Sequence, residues 1–171
     1  RILDMGVGSG AFSQLARDEY VGIDTDRAFL EYSRRRYGVP NRVRFECHPA
    51  AHIPYADQSF DQGLLINVMH HLPDDALHLA LGELGRVTRH QVIIVDMAPL
   101  KYNLLGKLCY RFDQGKHIRS LAEQAAHVAR FIDIRESGCF RSGINLHSWF
   151  VGTPRRHQRM TEIAEEAHAT A

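Results

Sequence analysis

The sequence lacks the features that mark membrane spans, disulfide frameworks and strongly basic nucleic-acid binders. No stretch approaches the roughly 18 consecutive apolar residues that a transmembrane helix needs. Its 21 basic and 20 acidic residues leave a formal net charge of +1, so no overall field attracts nucleic acid. The three cysteines, Cys47, Cys109 and Cys139, are far apart and form no Cys-x-x-Cys motif. This spacing favours reduced thiols in a cytoplasmic protein.

The eleven histidines do not form a recognisable metal motif. His48 and His52 are four residues apart, but a proline between them argues against a helix that presents both side chains. His70 and His71 are adjacent, and on a strand they would point to opposite faces. We therefore predict no metal site, and we expect His70 to be structural.

The first ten residues carry the strongest functional signal. An apolar strand ends at Leu3, and Asp4 places a carboxylate at its carboxyl edge. A helix is expected to open at Ala11, after a turn of the form Gly-x-Gly-x-Gly at Gly6, Gly8 and Gly10. Glycine is needed where the backbone turns tightly or lies against a ligand. In open α/β sheets, ligands bind at the carboxyl ends of the strands, so the turn is a candidate ligand site. A tight turn without a ligand is the alternative.

The spacing of the three glycines and the position of Asp4 limit the class of ligand that the turn could bind. Dinucleotide-binding enzymes use Gly-x-Gly-x-x-Gly, which this turn does not match. The Asp4 carboxylate would repel a pyrophosphate, but it can accept hydrogen bonds from an ammonium group. A second strand, Tyr20–Asp24, ends in an acid 20 residues after the first. At this distance a carboxylate can accept from both ribose hydroxyls, a device that NAD enzymes share. Asp24 could also cap the next helix, but Asp26 suits that role better.

The remaining chain alternates strand and helix patterns, which is typical of an α/β fold. A length of 171 residues supports one domain with a real core. Apolar spacing predicts helices over Arg27–Tyr37, after Pro73 and around Leu121–Val128. The five further strand patterns are Val43–Cys47, Gly63–Val68, Val92–Val95, Phe131–Arg135 and Leu146–Val151.

These motifs together resemble the class I S-adenosylmethionine-dependent methyltransferases. The Asp4–Gly10 turn followed by Asp24 resembles motif I of that family. The resemblance continues to about Thr153. It includes Ile53–Asp61 before strand four, Val68–Leu72 after strand four and Glu83–Val87, which leads into strand five.

The resemblance implies a fold and a domain arrangement. It implies a Rossmann-like, seven-stranded, mostly parallel sheet of order 3-2-1-4-5-7-6, with strand 7 antiparallel and helices on both faces. Residues 1–153 would form the methyltransferase domain and residues 154–171 a C-terminal tail. Family members usually have a helical segment before strand one, so we expect the domain to be N-terminally truncated.

The resemblance also implies S-adenosylmethionine as the cofactor. The residues expected to hold it are Asp4, Gly6, Val7, Gly8, Gly10, Asp24, Thr25, Ala50, Ala51 and Asn67. One departure concerns adenine, because Pro49 stands where the family usually has an acid. Proline has neither a carboxylate nor an N–H group. Adenine recognition is therefore expected from the backbone near Ala50 and Ala51, or from His48 or His52.

The absence of certain family motifs limits the chemical class of the methyl acceptor. No Asp/Asn-Pro-Pro-Tyr/Phe follows strand four, and Asp96-Met97 lacks the neighbouring acid and Asn of metal-dependent catechol enzymes. The run Arg34–Arg36 would point three ways on a helix, which favours a solvated face over a nucleic-acid site. A small-molecule acceptor with a reactive oxygen or carbon remains. His71 and His147 are the candidate bases, because histidine titrates near neutral pH.

Three questions stay open at this point. The segment from Leu100 to Gln124 could form an apolar lid or simply pack in the core, through Leu104, Leu105, Leu108, Tyr110 and Phe112. The fold would also suit another enzyme, such as an aminopropyl transferase or a dehydrogenase. The departure at Pro49 leaves room for a non-catalytic relative that binds the cofactor or a partner.

Overall fold

The computed structural model describes residues 1–99, 117–143 and 145–156. Seven strands form one sheet of order β3-β2-β1-β4-β5-β7-β6, in which β7 runs antiparallel to both neighbours and the other neighbouring strands pair in parallel. This order confirms the prediction. The strands are β1 (Ile2–Met5), β2 (Tyr20–Asp24), β3 (Val43–Cys47), β4 (Phe60–Ile66), β5 (Thr88–Ala98), β6 (Ile132–Ser142) and β7 (Asn145–Pro154).

Within the described residues, three α-helices lie where the sequence predicts them. They are α1 (Arg27–Tyr37), α2 (Asp74–Val87) and α3 (Leu121–Ala129). Asp26 caps α1 by accepting from the amides of Ala28 and Phe29, which confirms the role predicted for it. Ser120 and Glu123 form a capping box at the start of α3.

The helix expected after the glycine turn is a single 3₁₀ turn, Ala11–Leu15. The Ser13 hydroxyl donates to the Gly10 carbonyl at 2.6 Å, and the Ser13 amide donates to the same oxygen at 3.1 Å. This carbonyl would receive the Gln14 amide in an α-helix, so both bonds favour the tighter turn. The chain then extends at Ala16 to enter β2.

The sheet carries apolar residues on both faces. Leu3 and Met5 belong to the larger cluster, which includes Leu81 of α2 and Val128 of α3. A smaller cluster includes one residue of α1, Leu30, and consists of Val7, Ala16, Tyr20, Leu30, Val43 and Phe45. With both faces packed, the carboxyl ends of β1, β2 and β4 are held at one edge of the sheet.

Parts of the sequence predictions lie outside the described residues. The apolar residues of the expected lid, Leu104, Leu105, Leu108, Tyr110 and Phe112, fall in residues 100–116, as does Cys109. Of the expected C-terminal tail, only Pro154, Arg155 and Arg156 are described. Within the described ranges, no helix has the length and apolar character needed to cross a membrane.

Candidate active site

A cleft of about 720 Å³ opens at the carboxyl ends of β1, β2 and β4. It brings together nine of the predicted site residues: Gly6, Val7, Gly8, Asp24, Thr25, Ala50, Ala51, Asn67 and His71. Asp4, Gly10 and His147 do not line it. The residues predicted to hold the cofactor are therefore mostly gathered in one place, while the two candidate bases are not.

The glycine turn presents bare backbone to this cleft. Gly6 and Gly8 both have positive φ angles, of 73° and 50°, which favour glycine. A Cβ atom on Gly6 would overlap the Val68 side chain. A Cβ atom on Gly8 would meet no heavy atom of the described residues within 4 Å, so it would project into open space. Gly8 is therefore the point where the backbone can lie directly against a ligand.

Asp24 fixes the shape of the turn from the end of β2. Its Oδ2 atom accepts from the Gly8 amide at 2.8 Å, and its Oδ1 atom accepts from the Asp26 amide at 2.9 Å. Each carboxylate oxygen can accept more than one hydrogen bond. Asp24 can therefore hold the glycine turn and still accept from two hydroxyls of a ligand in the cleft.

Asp4 lies behind the turn and is only 2% exposed. The Tyr20 hydroxyl donates a hydrogen bond to its Oδ2 atom. Burial raises the pKa of Asp4 to about 7, the Tyr20 hydrogen bond opposes this rise, and the charge of Asp24 adds to it. The sequence analysis did not identify Tyr20 as a site residue, because the contact depends on the pairing of β1 with β2.

The adenine side predicted from the resemblance is lined by Pro49, Ala50 and Ala51, together with His48. The His52 amide donates to the Pro49 carbonyl at 3.1 Å, which closes a turn in this loop. Phe29, which the sequence analysis missed, also lines the cleft and is about half exposed. The loop offers backbone groups and apolar surface in place of the missing acid.

Asn67 and His71 form the wall beyond β4. Asn67 has a φ angle of 56°, and its amide donates to the Val95 carbonyl at 2.8 Å. The chain then forms a 3₁₀ turn over Met69–His71. His71 is exposed and faces the cleft, which is the position expected of a residue that contacts a bound molecule.

The neighbouring His70 is buried against Asp96 at the end of β5. His70 Nδ1 lies 2.5 Å from Asp96 Oδ1, and the amides of His70 and Met97 also donate to this carboxylate. The structural role expected for His70 fits this burial. Asp96 was not selected as a site residue, although it ends an apolar strand in the same way as Asp4 and Asp24.

Arg119 holds the same 3₁₀ turn from the side of α3. Its guanidinium donates to the carbonyls of Met69 and Leu72 at 2.8 and 2.7 Å, and to Asp74 at 2.7 and 3.0 Å. Arg119 is almost fully buried, whereas the Asp74 side chain is exposed. Arg119 and Asp96 therefore fix the segment that carries His71.

His147 lies on β7, opposite Met97 of β5, and is half-buried. Its ring stacks on Phe140 with centroids 5.3 Å apart. Burial lowers the pKa of His147, and the charge of Asp96 opposes this effect. Burial therefore favours the neutral form of His147, which a base requires, but His147 does not line the cleft with His71.

Within the described ranges, no group of three or more His, Cys, Asp or Glu side chains is arranged to hold a metal ion.

Comparison with known proteins shows similarity to methyltransferases. A family model described as a methyltransferase domain matches residues 3–95. The chain is 38% identical over 96 residues to methyltransferase GfsG of Streptomyces halstedii, covering 52% of this chain and 34% of that protein. It is 30% identical over 143 residues to the malonyl-[acyl-carrier protein] O-methyltransferase of Legionella pneumophila, covering 81% and 47%. The chain thus spans about a third to a half of these relatives.

The fold is also shared with solved structures. One is the magnesium protoporphyrin IX methyltransferase of Synechocystis PCC 6803 with bound S-adenosylhomocysteine. The match has a TM-score of 0.69 and 16% sequence identity, and it covers 91% of this chain and 74% of that one. At this identity the likeness shows the fold.

Proposed function

The chain belongs to the methyltransferase-domain family, whose model covers more than half of it, and from this premise we propose that it methylates an oxygen or carbon atom of a small molecule. Its cofactor is S-adenosylmethionine. The observation that carries the proposal is that His71 lines the same cleft as Gly8 and Asp24, so one cavity offers a cofactor surface and a proton acceptor.

The cofactor part of the proposal rests on complementary chemistry in the cleft. The bare backbone at Gly8 allows close approach of a ligand, and Asp24 has the acceptors that a ribose needs. The apolar side chain of Phe29 and the loop at Ala50 suit a flat base. These features match a nucleoside with an unphosphorylated ribose, and the glycine spacing argues against a pyrophosphate.

The reaction needs little covalent chemistry from the protein. The methyl group of a sulfonium is already activated, so its transfer is an in-line displacement in which the acceptor bonds to carbon as the carbon–sulfur bond breaks. Holding the acceptor about 3 Å from the methyl group supplies much of the rate. A base is needed only when the acceptor arrives protonated, as a hydroxyl does. We assign this role to His71, with His147 as the second candidate.

We favour a neutral or weakly acidic hydroxyl compound as the acceptor. The formal net charge of only +1 gives no strong overall field to attract a polyanion. The Legionella relative is named as an O-methyltransferase, which supports oxygen as the accepting atom. We also place the protein in the cytoplasm, which agrees with the free thiols of Cys47 and Cys139.

The proposal is tested by incubating the protein with S-adenosylmethionine carrying a labelled methyl group. The acceptors are a panel of small phenols and alcohols, a panel of carbon acceptors, a bulk RNA and a bulk protein. We expect label in one of the small-molecule panels. Preferred labelling of RNA or protein would overturn the acceptor class, and cofactor binding without transfer to any panel would favour a non-catalytic relative.

A further inference from the structure

The contact between Asp4 and Tyr20 joins a buried acid to a buried phenol across β1 and β2. Tyr20 begins β2 and is fully buried, and its hydroxyl donates to Asp4 Oδ2. Its ring packs edge-on against Phe45, and its amide donates to the Arg42 carbonyl at 2.7 Å. The phenol is therefore held firmly in place. Burial and the charge of Asp4 raise the pKa of Tyr20, so it remains a donor.

The second oxygen of Asp4 has a different environment. Within the described ranges, only Oδ2 accepts a hydrogen bond, and no cationic side chain pairs with this carboxylate. The titratable groups that act on it are Tyr20 and Asp24 of β2. The nearby polar groups of the first 3₁₀ turn and of α1, the hydroxyls of Ser13 and Ser33, donate to the Gly10 and Gly8 carbonyls.

A buried carboxylate without a cation is costly, because burial disfavours its charged form. Asp4 lies one residue before Met5, which lines the cleft. A ligand that brings a positive charge to this end of the turn would supply the missing partner. The cofactor assigned to this cleft carries one cationic group in its amino-acid part that suits a carboxylate, its ammonium.

We propose that Tyr20 is a positioning residue that holds one oxygen of Asp4 and leaves the other for the cofactor's ammonium, and that binding releases a proton from Asp4 to solvent. This inference rests on the cofactor assigned under the proposed function. It does not depend on the identity of the methyl acceptor. As the ammonium arrives, the O–H bond of the Asp4 carboxyl breaks and the proton passes to water or buffer, so no other co-reactant is needed.

The direction of the pH dependence follows from the state of the ligand-free protein. Below pH 7, Asp4 is mostly protonated and neutral, and the cofactor binds only after that proton leaves. Affinity therefore falls as pH falls, by roughly 25-fold between pH 7.5 and 5.5. The Tyr20 hydrogen bond favours the charged form of Asp4, so its removal should shift the midpoint to higher pH.

The test is calorimetric titration of the whole chain with S-adenosylhomocysteine from pH 5.5 to 7.5. An α-amino group stays mostly charged over this range, since its ordinary pKa is about 7.7–8.0. The control ligand is 5′-methylthioadenosine, which has the nucleoside but no ammonium. Deprotonation of Asp4 should affect only S-adenosylhomocysteine, whereas a pH effect on the nucleoside side of the cleft should affect both ligands. Buffers of different ionisation heats should report release of nearly one proton at pH 6.

The matched variants are Tyr20→Phe and Tyr55→Phe. Tyr55 also donates to a carboxylate, that of Glu46 at 2.9 Å, but it does not line the cleft. Tyr20→Phe should weaken S-adenosylhomocysteine binding several-fold at pH 7 and move the midpoint of its affinity profile to higher pH. Unchanged binding of methylthioadenosine would show that the fold of this variant is intact. Tyr55→Phe should change neither ligand's profile. Asp4→Asn should bind weakly and without proton release.

Two results would overturn the inference while leaving the cofactor assignment in place. One is an identical pH profile for the two ligands. The other is an unchanged midpoint in Tyr20→Phe. Failure of S-adenosylhomocysteine to bind at pH 7.5 would overturn the cofactor assignment itself, and the inference with it.

Discussion

The imidazole of His70 and the carboxylate of Asp96 form a buried pair, with Nδ1 and Oδ1 2.5 Å apart and side chains only 3% and 1% exposed. The pair joins the turn after β4 to the end of β5. His71 stands next on that turn, and the two histidine rings have centroids 4.0 Å apart. The wall of the cleft that carries the candidate base is therefore built on an interaction deep in the fold.

Replacing Asp96 by alanine should destabilise the protein strongly. The change leaves the buried His70 imidazole and two backbone amides without their acceptor, and breaking a buried pair typically costs about 3–5 kcal/mol. Urea unfolding measures the loss. Asp57→Ala is the matched control, because Asp57 pairs with Arg86 but is 72% exposed, and such pairs contribute about 0–1 kcal/mol. Equal effects of the two variants would contradict the account.

Alanine at Gly8 should abolish cofactor binding at a modest cost in stability. Gly8 and Gly143 have φ angles of 50° and 58°, and in both cases a Cβ would meet no described heavy atom within 4 Å. Each Gly→Ala change should therefore cost about 1–2 kcal/mol in backbone strain. Only Gly8 lines the cleft, so only Gly8→Ala should lose S-adenosylhomocysteine binding in calorimetry. Full binding by Gly8→Ala would show that the backbone does not meet the ligand there.

Asparagine at Asp4 should stabilise the ligand-free protein, and more so at pH 8 than at pH 5. The folded-state pKa of about 7 lies above the ordinary value of 3.8, so the stability contributed by protonated Asp4 is present at low pH and lost as pH rises through 7. One pKa unit corresponds to about 1.4 kcal/mol, so the gain at pH 8 should be of the order of 2–4 kcal/mol. Urea unfolding at both pH values measures it, and a gain that does not depend on pH would refute the explanation.

Alanine at His71 should lower turnover far more than cofactor affinity. A positioned base contributes roughly 10²–10⁴-fold, and the partner of this base is the acceptor. His147→Ala is the paired variant. Burial lowers the pKa of His147, so if His147 is the base, the rate should persist further into the acid range than with an ordinary histidine. Initial rates of the two variants separate the two residues, and full turnover in both variants would mean that positioning alone drives the transfer.

The sequence predicted the parts of this fold that depend on local pattern or on a family motif. The acids that end β1 and β2, the glycine turn and the Asp26 cap all follow from residue order. The Asp4–Tyr20 and His70–Asp96 contacts do not, because they depend on strand register and on side-chain conformations across the fold. The 3₁₀ turn after Gly10 was also missed, since one serine hydroxyl competes there with the helical hydrogen bond.

The most direct test of the central claim is calorimetry of the purified chain with S-adenosylhomocysteine and, separately, with NAD at pH 7.5. The spacing of the Asp4–Gly10 turn favours a ligand without a pyrophosphate, while the open space at Gly8 and the acceptors of Asp24 suit its nucleoside. We predict saturable binding of S-adenosylhomocysteine with one site per chain, and no binding of NAD. Tight binding of NAD with no heat from S-adenosylhomocysteine would contradict the account.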